Sequence, residues 1–145
     1  MPDFFQVKTY LNYWLDSVNE HSLHSPFLYD LYTKTINVEP TADLEIEKLR
    51  MDLLKTHREI DVQDLGAKSK HFSSGKRKIS EVAETSLSNI RFSSLYHRLA
   101  EYTQAKTIVE LGTSFGLNTL YLSRTKSARV YTFEGSATIA EVAED

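Results

Sequence analysis

Cysteine is absent from the 145 residues, which excludes a disulfide framework, a thiolate nucleophile and a thiolate metal site. No apolar run approaches the length needed to cross a bilayer, and the opening MPDFFQVKTYLNYW lacks the basic and apolar regions of a secretory signal. A cytoplasmic protein without membrane contact is expected. A charge excess is missing too: the formal net charge is −3, so nothing draws the whole chain toward nucleic acid or an anionic surface. Nor is there an internal repeat. What is present is 41% hydrophobic and 11% aromatic content, enough for one buried core with a helical annex.

Helical spacing dominates the first part. Phe4, Val7, Leu11, Trp14 and Val18 recur every three or four residues, which predicts an amphipathic helix over 3–19 that packs on a neighbour. Ser25-Pro26 restarts a helix with cap and first-turn chemistry in order, and Phe27, Leu28, Leu31, Tyr32 and Ile36 carry it to about residue 36. Ile46, Leu49 and Leu53 predict a third helix from about 42 to 57. His21 and His24 lack an identifiable third ligand, so no metal site is assigned.

Glu59 to Leu65 reads as a short extended segment, followed by a turn and a mobile basic loop over Lys68 to Lys78. Such a loop is a solvated surface or a capture point for an anionic partner. Ile79 to Leu87, and then Phe92, Leu95, Tyr96, Leu99 and Tyr102, return to helical spacing. His97 and Arg98 fall within this spacing and are read as packing or surface residues. The organisation expected is a helical segment over 1–58, a basic loop with helices over 59–104, and a nucleotide-binding part over 105–145.

The most informative stretch is Thr107 to Glu134. Thr107 to Leu111 is a β-branched, apolar run ended by Gly112, the pattern of a buried parallel strand. Gly112 and Gly116 permit a tight turn into a helix and close approach of a ligand to the backbone. Arg129 to Phe133 is a second strand, and Glu134 lies at its carboxyl end, where nucleotide-binding α/β units hold a ribose. A nicotinamide or flavin fingerprint would need glycine at positions now held by Ser114 and Leu117. A phosphate-binding loop fails as well, since neither Gly66 nor Gly75 has the required partners.

Glu110-x-Gly112-x-x-x-Gly116 followed by Glu134 resembles the first motif and following acid of class I S-adenosylmethionine-dependent methyltransferases. The phrase ELGTSFGLNTLYLS is especially similar to the catechol and caffeoyl-CoA O-methyltransferases. The resemblance implies an α/β fold: an N-terminal helical segment followed by the first βαβ part of an incomplete Rossmann-like methyltransferase sheet. The chain is thus expected to be an amino-terminal portion, inactive alone, whose parent transfers a methyl group to a small-molecule acceptor, at oxygen. It further implies that the turn Gly112, Thr113, Ser114, Gly116 cradles the methionine part of S-adenosyl-L-methionine. Asn118 would contact the methionine carboxylate and Glu110 would lie near its amino group. Glu134 would accept both ribose hydroxyls, and Gly135 and Ser136 would border the adenine. The O-methyltransferase type admits Mg²⁺ in the parent, but this segment offers no ligand set for it, and no catalytic side chain is assigned.

Two other readings stand beside it. One is a non-catalytic binding or assembly module with the same fold, and the other is a nucleic-acid methyltransferase that uses the basic loop. Because an unfinished sheet leaves its edge unpaired, a homo-oligomer joined through that edge is expected.

Overall fold

The computed structural model describes residues 4–17, 19–62 and 75–144. The expected turn and most of the basic loop, residues 63–74, lie outside the described residues. The chain divides into two units, Met1–Val38 and Glu39–Asp145. Among the described residues there are seven α-helices and four short strands in two small sheets, a mixed α/β protein.

In the first unit α1 spans Phe4–Leu15, ending earlier than the spacing predicts. The Ser17 hydroxyl donates to the Trp14 carbonyl at 2.7 Å, closing its last turn. The expected packing is not found: none of its residues is buried. Phe5 and Tyr13 fall among the polar residues Gln6, Lys8, Thr9 and Asn12, so the helix has no consistently polar side. Asn19 caps a 3₁₀ turn at Glu20–Ser22, accepting from the His21 N–H at 3.1 Å. α2, Pro26–Leu31, begins as its sequence predicts, with Pro26 in the first turn and the Ser25 hydroxyl accepting from the Leu28 N–H. It widens into a π turn, Tyr32–Ile36, closed by the Asn37 N–H on the Tyr32 carbonyl at 2.7 Å.

The second unit opens with α3, Leu44–Lys55, and therefore includes the third predicted helix. Its start is set by Asp43, whose carboxylate accepts from the Glu45 and Ile46 N–H groups. β1, Glu59–Asp61, pairs antiparallel with β2, Lys76–Lys78, so acids face bases across the ladder: Glu59 opposite Lys78, Asp61 opposite Lys76. The last three residues of the predicted basic loop are thus a strand. α4, Ile79–Ser86, follows at once, and the Lys78 N–H donates to Glu81 at 3.3 Å. α5, Ile90–Tyr102, is capped by Asn89.

β3, Thr107–Leu111, and β4, Arg129–Phe133, are parallel and joined through α6, Leu117–Ser123. α7, Ala137–Glu144, comes next, and its Thr138 hydroxyl donates to the Asp61 carbonyl at 2.7 Å, tying it to β1. The core gathers Ile46 and Leu53 of α3, Ile79, Val82 and Ala83 of α4, Phe115, Leu117, Tyr121 and Ile139. Each fully buried aliphatic side chain there contributes about 1.5–3 kcal/mol. Phe115 and Leu117, from the turn between β3 and α6 and from the start of α6, belong to this core.

Candidate ligand site at the β3–α6 turn

The parallel register runs from Thr107 beside Arg129 to Leu111 beside Phe133. Continued one step, it brings Gly112 and Glu134 out at the same end of the sheet. The turn is stitched to that end: the Gly112 and Thr113 N–H groups both donate to the Phe133 carbonyl, at 2.8 and 3.3 Å. Gly112 and Gly116 have φ of +89° and +77°, values glycine adopts without steric cost.

Two carboxylates organise the site. Glu134 accepts the Ser114 N–H on Oε2 at 2.7 Å and the Ser136 N–H on Oε1 at 3.0 Å. Glu110, half-buried on β3, accepts the Thr132 hydroxyl at 2.8 Å on Oε2, and the Thr119 hydroxyl donates to the same oxygen. The hydroxyls of Thr113 and Thr132 meet at 2.5 Å. A cavity of about 300 Å³ opens over this cluster, lined by Thr113, Phe115, Gly116, Thr119, Thr132 and Glu134, with Leu49 and Leu120 among its apolar walls. Among the described residues no basic side chain lines it. Its chemistry is an apolar enclosure with hydroxyl and carboxylate acceptors, which favours a ligand carrying hydroxyl or ammonium donors over a phosphate.

Of the residues singled out in the sequence, Thr113, Gly116 and Glu134 line the cavity. Ser114 is bonded to Glu134, Glu110 to the lining residues Thr119 and Thr132, and Gly112 to the Phe133 carbonyl. Gly135 is exposed, and Ser136 is buried, its hydroxyl 3.2 Å from that of Thr138. Asn118 is placed elsewhere: its Oδ1 accepts from Ser93 at 2.7 Å and its Nδ2 donates to Ser88 at 3.0 Å, so its amide joins α6 to α5. Thr119 and Thr132 escaped the sequence reading. The signal for Thr132 was available, because the register that sets Glu134 beside Gly112 also sets Thr132 beside Glu110.

A second cleft, about 350 Å³, lies between α5, the end of α6 and the start of α3, where His97, Arg98, Tyr121, Arg124 and Asp43 meet. Arg124 donates to Asp43 at 2.8 Å and to Glu45 at 3.1 Å. Burial alone would raise the Asp43 carboxyl, but the Arg124 hydrogen bond and charge, with the Ile46 and Glu45 N–H groups, hold it below the usual carboxylate range. Burial, reinforced by the bond to Glu47, raises the Tyr121 phenol, against the opposing pull of the Asp43 N–H. The Arg98 guanidinium donates to Ser94 at 3.2 Å, and the His97 ring contacts the Thr125 hydroxyl at 3.2 Å.

Among the described residues no group of three His, Asp or Glu side chains is arranged to hold a metal ion, and no helix is long and apolar enough to cross a membrane. Comparison with protein-family models, with curated proteins and with solved structures finds no match.

Proposed function

We propose that residues 105–145 form the cofactor-binding start of a Rossmann-like methyltransferase domain. Its parent would be a cytoplasmic enzyme that transfers a methyl group from S-adenosylmethionine to the oxygen of a small-molecule acceptor. The observation that carries this reading is the parallel register of β3 and β4, which sets the Glu134 carboxylate against the glycine turn at the mouth of a cavity whose described lining is hydroxyl, carboxylate and apolar. Glu134 keeps lone pairs beyond those taken by the two N–H groups, and these suit ribose hydroxyls. Glu110 and the threonine hydroxyls supply acceptors near the turn for an ammonium group, and Phe115 and Leu120 supply apolar walls. The acidic lining also suits a positively charged ligand. The cofactor's sulfonium carries the activated methyl, so the protein's tasks are to hold the ligand, orient it and exclude water.

One observation favours a second reading, an assembly module that keeps the fold without the chemistry: the face of the β3–β4 pair carrying Val109, Leu111, Tyr131 and Phe133 is exposed. Pairing of copies through the unpaired edge of this sheet, or covering of its exposed face, is compatible with either reading. A nucleic-acid role draws little from the described residues, since Lys76 and Lys78 stand opposite Asp61 and Glu59.

The test is calorimetric titration of S-adenosylmethionine into the complete parent protein and its Glu134→Gln variant. Hydrogen bonds to a charged group contribute about 1.5–3 kcal/mol each, so the substitution should weaken binding about tenfold or more. No binding by the wild type, or equal binding by both, overturns the proposal.

A further inference from the structure

Ser114 has φ of +49°, a left-handed conformation that costs energy for a residue carrying a Cβ. Unlike Gly112 and Gly116 on either side, it needs something to hold it there. It is held at two points. Its N–H donates to Glu134 Oε2 at 2.7 Å, and its hydroxyl lies 2.7 Å from that of Ser86 at the end of α4. Ser86 spends its own proton on the Val82 carbonyl at 2.7 Å, so in the serine pair Ser114 is the donor. The residue therefore gives one proton to β4's closing carboxylate and the other to α4.

We propose that Glu134 is a positioning residue as well as a ligand contact: its carboxylate holds Ser114 in the left-handed conformation and so fixes the shape of the Gly112–Gly116 turn before any ligand arrives. Of the two anchors, the carboxylate is the stronger, because a charged acceptor strengthens a hydrogen bond about twofold over a neutral one. It is also the better braced, since Oε1 is fixed by the Ser136 N–H and cannot swing away without losing that bond. The ligand-facing side of the turn is then shaped by the same side chain that meets the ligand, which couples loss of the acid to loss of the turn. This deepens the reading of the turn as a nucleoside site and rests on it only for the identity of the ligand.

The experiment is amide hydrogen exchange, followed by NMR on the ligand-free chain, for Glu134→Ala, Glu134→Gln and Ser114→Ala, with the Leu122 amide inside α6 reporting that the fold persists. Exchange at the Ser114 and Gly116 amides should speed about tenfold or more in Glu134→Ala, the loss expected for one charge-assisted bond. Glu134→Gln keeps a neutral acceptor of the same length and should restore part of the protection. Ser114→Ala removes only the bond to Ser86 and should change exchange less than Glu134→Ala. If Ser114→Ala loosens the turn as much, or Glu134→Ala leaves it unchanged with Leu122 still protected, the proposal is overturned. Should Glu134→Ala unfold the chain, the comparison of Glu134→Gln with Ser114→Ala decides in the same way. Titration with S-adenosylmethionine separates the two ideas: a turn loosened by Glu134→Ala in a chain that never binds the cofactor keeps the positioning role and discards the ligand.

Discussion

The two faces of the β3–β4 pair differ in the opposite sense from an ordinary half-buried sheet. The face under α6 carries Ile108, Glu110, Val130 and Thr132, half-buried, and its polar members are bonded to one another and to Thr119. The face away from α6 is apolar, with Leu111 82% and Phe133 59% exposed. A parallel sheet is normally covered on both faces, and an apolar patch of this kind marks a surface that another element is meant to cover. The contrast separates two tasks. One face supports a polar site at its end, and the other is an exposed apolar surface that the proposed assembly would cover.

Replacing one leucine on each side should break or confirm that contrast most sharply. Leu117→Ala, at a side chain only 1% exposed beneath the turn, should cost about 2–5 kcal/mol, whereas Leu111→Ala should stay within about 0.5 kcal/mol. Urea unfolding of the two variants reads the difference directly, and equal costs would mean that the faces are not distinct. Next in size is the effect of charge on the open face. If copies associate through it, light scattering at micromolar concentration should show a dimer or larger species, which Leu111→Lys with Phe133→Lys converts to monomer. A wild type that is monomeric throughout removes the assembly role.

The smallest effect concerns the polar ties on the α6 side. Because the Asp43 carboxyl is held below its usual value, its contribution is present above the unfolded value of about 3.9 and is lost as pH falls through the lower folded value. Asp43→Asn should therefore flatten the acid limb of a stability–pH profile while leaving its slope near neutrality unchanged. An unaltered acid limb would mean that the Arg124 pair adds nothing to docking of α3 on α6.

The strands β3 and β4 were legible to the residue, because a β-branched run closed by glycine and a second run closed by Glu134 leave little freedom. The Ser25-Pro26 start was legible for the same local reason. β2 was not: Lys76-Arg77-Lys78 has no apolar alternation, and its extended form comes from pairing with Glu59 and Asp61. The end of α1 and the π turn at Tyr32–Ile36 are settled by backbone bonds that spacing does not announce. The site was half legible. Glycines and a terminal acid are visible in a motif, but the partners that take up the Asn118 amide, Ser88 and Ser93, come from a region whose sequence reads only as helix.

The Tyr121 hydroxyl accepts the Asp43 N–H at 3.2 Å and donates to Glu47 at 2.9 Å, joining parts of the chain more than seventy residues apart. In kinetic terms this is a contact expected late in folding. The β3–α6–β4 crossover closes over a short span, while α3 reaches Tyr121 only after a much longer loop has been closed, and that entropy is spent before the contact is rewarded. Tyr121→Phe is therefore expected to speed unfolding more than it slows folding, a difference that stopped-flow measurement of both rates would read.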